Sequence, residues 1–453
     1  MRVAVVGAGY VGLATTAALA WVGHEVACVE VDSSKLEQLH SGRLPLHEPH
    51  LGELLALVRD RVCFTDRYEE GLRGARVAFL CVGTPPGADG SPDLSQVRAA
   101  AKSLGEALGP EPLVVATKST APVGNGNWVA SLVREAYRRR NGGGSRCPFA
   151  VASTPEFLRE GRALQDALYP DRVVVGADEP WAVEVLQEVL HPVLAQDFPP
   201  PPFLPRPHSR GPVPLVVTDL VSAELVKYAA NAFLAVRVSF ANEVAELAER
   251  VGADVRAVLK GIGLDHRVGP HYLEPGVGWG GSCLGKDTAA LLSTAREYGL
   301  DLPLVAAARS VNDRQRERVV RKLLDELRVL KGRVVGLLGL AFKPDTDDLR
   351  DSPALDVARR LVARGAVVRA HDPVALPRAR AEYPDLAEYC DTVEELAEEA
   401  DALVLLTAWP EYLSLPWAQL AARMRTRLVL DGRNVLDREA LAREGLRCLW
   451  LHG

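Results

Sequence analysis

Residues 2–12 read RVAVVGAGYVG, and residues 25–30 read EVACVE, with an alanine-rich stretch to about Trp21 between them. The two apolar runs predict strands, the glycines a tight turn, and the alanine-rich stretch a helix. In that order they form the βαβ unit that opens a dinucleotide-binding sheet. Gly7 permits the turn, Gly9 lets the backbone approach a pyrophosphate, and Gly12 lets the helix pack closely on the strand. Freed amides at the helix N-terminus then face the phosphates. Glu30 closes the second strand, where a carboxylate accepts a ribose 2′-hydroxyl and repels a 2′-phosphate. That favours NAD over NADP, with Asp32 as the nearby rival for the role.

Working outward, apolar runs at Val77–Val82, Leu113–Lys118, Phe149–Ser153 and Arg172–Val175 read as further strands alternating with helical stretches. This is the pattern of a parallel sheet covered on both faces. A proline-dense segment, Phe198–Pro214, marks a stiff surface loop near a boundary. Asp219–Val251 then keeps helical periodicity for longer than most globular helices and reads as a spine between domains. Residues 286–325 continue as helices broken by the turn containing Gly299 and Pro303. A second α/β unit starts near Gly332, with strands at Arg333–Leu338, Ala366–Ala370, Ala402–Thr407 and Arg427–Leu430 and a helix at Pro353–Arg364. The expected fold is α/β: two Rossmann-like parallel-sheet domains joined by a long central helix and a helical middle domain. The expected spans are 1–205, 206–315 and 316–453.

A chain of 453 residues holds two or three such cores. Its net charge of −6 argues against nucleic acid as a main partner. The seven cysteines show neither a CxxC pair nor zinc spacing, and no membrane span or secretory leader is evident. The expectation is a reduced, cytoplasmic protein without a metal.

One cysteine is placed differently from the rest. Pro275–Asp287 reads PGVGWGGSCLGKD, so a glycine-rich turn delivers Cys283, with Lys286 and Asp287 within one helical turn. Amide donors of such a turn favour the thiolate, the reactive form. A buried cysteine in a tight loop is the plainer alternative. Lys227 and Asn231, four apart on the long helix, project from one face; taken alone, a lysine such as Lys227 on a mostly apolar helix is more often a snorkelling surface residue. VGTPP at Val82 and Lys118-Ser119-Thr120 both follow strands, at the sheet edge where ligands bind, and read as ligand contacts or polar caps.

Taken together the motifs resemble the UDP-glucose/GDP-mannose dehydrogenase family. They are GAGYVGL at Gly7, GRLPLHEP at Gly42, VGTPP at Val82, KSTAPVG at Lys118, STPEFLREG at Ser153 and PDRVVVG at Pro170. The Lys227–Asn242 helix, PGVGWGGSC at Pro275, LAFKPDTDDLRDSPA at Leu340 and DGRN at Asp431 continue the series. The resemblance implies a four-electron oxidation of a nucleotide sugar at C6, using two NAD and one water, with UDP-glucose giving UDP-glucuronate. Cys283 is then the nucleophile that forms a thiohemiacetal and a thioester. Lys227, Asn231 and Asp287 hold the reacting oxygen and a water, with Thr120 and Glu156 as further polar members. By the same resemblance the cofactor meets Gly7, Gly9, Tyr10, Val11, Gly12, Glu30, Lys35, Val82, Gly83, Thr84, Pro85, Ser119, Thr120, Glu156, Cys283, Lys286 and Arg350. The sugar donor meets Glu156, Phe157, Leu158, Arg159 and Glu160, then Lys227, Asn231, Tyr272, Leu273, Gly276, Gly280 and Cys283, and finally Phe342, Lys343 and Arg433. Arg267 matches an arginine supplied by a neighbouring subunit, which implies a homodimer.

Two departures stand out. Thr154 occupies a position where the family has asparagine, and Leu284-Gly285 occupies a phenylalanine–proline pair. Glycine after the nucleophile loosens the loop unless packing compensates. These departures leave GDP-mannose or a UDP-N-acetylhexosamine as alternative donors. A two-electron hydroxyacid dehydrogenase shares the NAD domain and helices, but has no need of Cys283 or of a third α/β domain. A non-enzymatic sensor of NAD or sugar donor is the remaining reading.

Overall fold

The computed structural model describes residues 1–85, 87, 92–120, 122–142, 147–207 and 211–453. Pro86 of VGTPP, Ala121 of KSTAPVG and residues 208–210 of the proline-dense segment lie outside the described residues. Contacts divide the chain into two compact units, Met1–Ala229 and Ala230–Gly453.

The first unit carries an eight-stranded sheet: β1 (Arg2–Val6), β2 (Glu25–Val29), β3 (Val62–Thr65), β4 (Val77–Leu80), β5 (Leu113–Thr117), β6 (Phe149–Ser153), β7 (Val173–Ala177) and β8 (Leu215–Thr218). Its order is β3-β2-β1-β4-β5-β6-β7-β8. Every residue of β4 and β5 is buried, as continuous apolar strands covered on both faces must be. The order reverses between β1 and β4, and the carboxyl ends there form the crevice in which open sheets take ligands. One expectation is corrected: the sheet is not wholly parallel, because β7 runs antiparallel to β6, pairing Ala152 with Ala177. The connecting helix, Ala163–Leu168, has six residues.

Two buried carboxylates hold loops at this edge. Glu224 accepts from Gly124 N at 2.6 Å and Gly126 N at 2.7 Å, at the start of the helix Asn125–Asn141, whose own N-cap glycine offers no side chain. Glu48, in the GRLPLHEP motif, accepts from Gly161 N and Ala163 N, both at 2.7 Å. Each thus satisfies amides that a helix start leaves without an intrahelical partner.

The long helix, Leu220–Val251, begins in the first unit and ends in the second. Three further helices, Val255–Gly263, Leu284–Glu297 and Pro303–Leu327, precede the second sheet. That sheet holds β9 (Val334–Leu338), β10 (Val367–His371), β11 (Glu388–Tyr389), β12 (Ala402–Leu405), β13 (Leu428–Asp431) and β14 (Arg447–Trp450). Its order, β11-β10-β9-β12-β13-β14, is wholly parallel and repeats that of the first six strands of the other sheet. Leu337, Leu403, Val404 and Val429 have no exposed surface and centre its core.

Candidate active site

In the first unit the glycine corner is built as its sequence requires. Gly7 has φ 100°, and a Cβ there would lie 3.0 Å from Cys81 O. A Cβ at Gly12 would lie 1.8 Å from Gly7 O, so only glycine fits. Gly9 differs: a Cβ there meets nothing within 4 Å, so the protein itself does not require this glycine. It caps the helix Tyr10–Trp21 without a side-chain bond, and the first turn of that helix has no acidic residue. An open space at a helix start fits the pyrophosphate of a dinucleotide. Glu30 is 7% exposed and accepts from Ala8 N at 2.8 Å and Asp32 N at 2.9 Å, so its carboxylate also shapes the turn. Asp32, its rival, caps the next helix through Ser34 N and Lys35 N.

The loops after β4 and β5 are stitched together. Thr84 Oγ1 donates to Thr120 O at 2.7 Å, and Ser119 Oγ donates to Val82 O at 2.6 Å. Gly83 N donates to Gln96 Oε1, and Pro85 O accepts from Asp93 N.

Beside them lies a buried charge cluster. Glu156 is 6% exposed; its Oε1 accepts from Lys227 Nζ at 3.0 Å and its Oε2 from Leu158 N at 2.7 Å. Burial pushes this carboxyl up, but the charge and hydrogen bond of Lys227, the Leu158 amide and the charge of Lys118 outweigh it. The carboxyl is therefore held below its ordinary value. Lys227 is thus no surface lysine. Lys118, which follows β5, stands with its Nζ 5.7 Å from the Phe79 ring centroid. Burial holds its ammonium below the ordinary value, Cys81 and Glu156 oppose that, and Lys227 adds to it. The sequence left Lys118 between ligand contact and polar cap, and gave no sign of its place beside Glu156 and Lys227. Phe157 is flanked by Arg172 at 3.6 Å and Lys227 at 5.5 Å from its ring. Arg159 makes a forked pair with Asp166 at 2.9 and 2.7 Å, and Glu160 is partly buried.

The second unit holds the thiol. Cys283 is the N-cap of Leu284–Glu297, partly exposed, with Ser282 Oγ 3.5 Å from its Sγ. One turn on, Asp287 is fully buried; its Oδ2 accepts from Asn231 Nδ2 at 2.5 Å, and Lys286 Nζ lies 3.7 Å from its Oδ1. The other cysteines of the chain are thiols as well. Burial pushes Cys28 and Cys81 up to about 12, which keeps them inert at neutral pH.

The glycines of the turn are demanded by close neighbours. A Cβ at Gly276 would lie 2.8 Å from Gly432 O, one at Gly280 2.2 Å from Asp351 O, and one at Gly281 2.6 Å from the Phe342 ring. Arg433 is pinned by three carbonyls, donating to Leu406 O at 2.6 Å, Phe342 O at 3.2 Å and Gly278 O at 3.4 Å. Burial lowers it to about 10, with Asp431 opposing. Its guanidinium braces the turn, a role the sequence did not reveal. Lys343 Nζ stands 5.4 Å from the Phe342 ring. Arg350 is forked onto Asp348 at 2.8 and 2.7 Å. Leu273 is buried, and Tyr272 adopts φ 60°. Arg267 lies on the surface, 78% exposed and paired with Asp265 at 2.6 Å. Among the described residues no helix is long and apolar enough to cross a membrane.

Known proteins are similar to this chain along nearly its whole length. Residues 1–194 match the NAD binding domain of the UDP-glucose/GDP-mannose dehydrogenase family, 221–314 its central domain and 336–438 its UDP binding domain. The UDP-glucose 6-dehydrogenase TuaD of Bacillus subtilis is 39% identical over 446 residues, 98% of this chain and 91% of the relative. A UDP-glucose 6-dehydrogenase of Pseudomonas aeruginosa is 41% identical over 98% of this chain and 96% of its own length. A UDP-glucose dehydrogenase structure from the hyperthermophilic archaeon Pyrobaculum islandicum matches with a TM-score of 0.88. It is 38% identical, and the match covers 100% of this chain and 97% of that one.

Proposed function

The chain belongs to the UDP-glucose/GDP-mannose dehydrogenase family, and we propose that within it the enzyme oxidises UDP-glucose to UDP-glucuronate through a covalent adduct on Cys283. The observation that carries this reading is the thiol at a helix N-cap, with a fully buried Asp287 one turn away and bonded by Asn231. NAD accepts the hydride lost from C6 in each of the two oxidations. Gly7, Gly9, Tyr10, Val11 and Gly12 would hold its phosphates, Glu30 and Lys35 its ribose end, and residues 82–85, Ser119 and Thr120 its other half. Lys286 and Arg350 complete the proposed cofactor set.

In the first oxidation the C6 hydroxyl gives up a proton, and the ammonium of Lys227 with the amide of Asn231 stabilises the developing alkoxide. The Cys283 thiolate then adds to the C6 aldehyde, its sulfur–carbon bond forming as the carbonyl oxygen takes a proton. Loss of a second hydride and that proton leaves a thioester. Water, activated by Glu156 or Asp287, displaces the thiolate and yields the carboxylate. Thr120 holds the polar edge of this chemistry. A covalent link retains a reactive aldehyde while the cofactor is exchanged. The span 1–205 is assigned to NAD, 206–315 to a central helical part, and 316–453 to the donor's nucleotide. Residues 156–160, Tyr272, Leu273, Gly276, Gly280, Phe342, Lys343 and Arg433 make up the donor set. Arg267 of a second copy completes it in a homodimer, and the reliance on a thiolate suits the cytoplasm.

A donor panel read by NADH absorbance and product mass tests the proposal. Two NADH and one UDP-glucuronate per UDP-glucose are expected, and Cys283→Ala should abolish acid formation. Two NADH from another nucleotide sugar alone would reassign the substrate. Unchanged acid production by the variant would reject the thioester route.

A further inference from the structure

Gly285 stands where the family carries proline, immediately after the helix start that presents Cys283. Proline would stiffen that first turn through its own ring; glycine leaves the stiffening to neighbours. Those neighbours are present. A Cβ at Gly285 would lie 2.7 Å from Asp351 Oδ2, so the carboxylate occupies the notch that the missing side chain leaves. From the helix Pro303–Leu327, Arg309 Nη1 donates to Gly285 O at 2.6 Å and to Thr288 Oγ1 at 2.8 Å.

Asp351 is itself firmly placed. It adopts φ 47°, a left-handed conformation that a non-glycine residue keeps only when its surroundings dictate it. Its Oδ1 accepts from Arg316 Nη2 at 3.0 Å, and Arg316 Nη2 also donates to Trp279 O at 3.2 Å. Gly281 N donates to Arg350 O at 3.1 Å. The loop 348–352 therefore touches the chain on both sides of Cys283, at Gly280–Gly281 before it and at Gly285 after it.

We propose that Asp351 and Arg309 are positioning residues for Cys283, which replace the rigidity of the absent proline by clamping the first turn of its helix from two sides. The inference rests on the reading of Cys283 as nucleophile. It adds that the loop bearing Arg350 also sets the thiol's aim, so the two cannot be altered independently.

The test is a double-mutant cycle on the full chain with Gly285→Ala, Asp351→Ala and the pair, plus Arg309→Met. Three readouts are used: site-resolved alkylation of Cys283 by iodoacetamide, kcat and KM for UDP-glucose, and thermal unfolding. Gly285→Ala should lower kcat by about 10- to 100-fold with donor KM little changed, since small misplacements of a reacting group act on the chemical step. It should also change the alkylation rate. Asp351→Ala opens the notch, so the double variant should regain about fivefold or more over Gly285→Ala, a coupling that independent sites do not show. Arg309→Met should change Cys283 alkylation with the melting temperature held. Unaltered alkylation and kcat in Gly285→Ala, or multiplying effects without rescue, would overturn the proposal. Should Gly285→Ala fail to fold, wild-type alkylation and kcat in both Arg309→Met and Asp351→Ala would overturn it as well. If the wild type turns over no UDP-glucose while the alkylation cycle still shows rescue, the substrate reading fails and the clamp stands.

Discussion

The two sheets open alike and are then put to different use. Each begins with a buried strand, a glycine of positive φ (100° at Gly7, 98° at Gly339), and an acidic residue after the neighbouring strand. Gly7 N donates to Val29 O, and Gly339 N to His371 O. From Gly7 the chain enters a helix within three residues, whereas from Gly339 it runs as a loop to Ser352 before the helix Pro353–Val362. Glu30 takes two backbone amides. Asp372 takes four, from Leu340, Ala341, Val374 and Ala375, together with Trp409 Nε1. The first corner leaves an open space beside Gly9 at its helix start; the second is closed on itself. A ligand at the second sheet must therefore be met by side chains of the long loop, such as the proposed Lys343, rather than by a helix start.

The sharpest break of this comparison is at the acids. Asp372→Ala strands several buried donors and should cost about 3–5 kcal/mol in denaturant melts. Glu30→Ala should cost less than half of that and instead weaken NAD binding. Equal losses at the two sites would mean that the corners are equivalent. Next come the glycines. Gly339→Ala drives a Cβ to 2.4 Å from Thr407 Cβ and should destabilise by about 2–4 kcal/mol. Gly9→Ala should fold normally yet raise the KM for NAD by about tenfold or more; a silent Gly9→Ala would show that nothing approaches that backbone.

Lys118→Met probes the first unit's charge cluster. With one fewer cation, the Glu156 carboxyl should rise, moving the acid limb of the kcat profile to higher pH by up to about one unit. An unmoved profile would mean that Lys118 is only packing. An effect confined to acid pH is expected at His452 in the second unit, fully buried between Gln315 and Asn434. Burial, then the charges of Arg318 and Lys322, depress it to about 3. Folding thus favours its neutral form. That stability is present above pH about 6.5 and is lost as pH falls towards 3, at no more than about 1.4 kcal/mol per pH unit. His452→Gln should flatten the acid side of a stability–pH curve; an unchanged slope would exclude this histidine as the source.

Much of the fold was legible because its central strands are unbroken apolar runs. Val77–Leu80, Leu113–Thr117 and Ala402–Leu405 need no partner to be recognised. The strands missed, Val62–Thr65, Leu215–Thr218, Glu388–Tyr389 and Arg447–Trp450, are outer or short ones whose half-exposed residues blur the pattern. At the candidate site, Lys227, Asn231 and Asp287 were singled out through spacing and resemblance, and the structure brings Lys227 onto Glu156 and Asn231 onto Asp287. The bracing by Arg433, the place of Lys118 over the Phe79 ring and the seat of Asp351 against Gly285 were not legible. Each is a contact between segments far apart in sequence, and no local pattern records it.

The carboxylates that hold loop amides carry one more consequence. Glu48, Glu224, Asp372 and Asp431 between them bind the N–H groups of residues 124, 126, 161, 163, 340, 341, 374, 375, 435 and 436. Those amides should exchange with deuterium as slowly as amides within strands, although most of them belong to loops. The loops around the ligand edges are thus pegged at single side chains rather than woven into ladders. Each can be released by removing one acid, with the sheets beneath left intact.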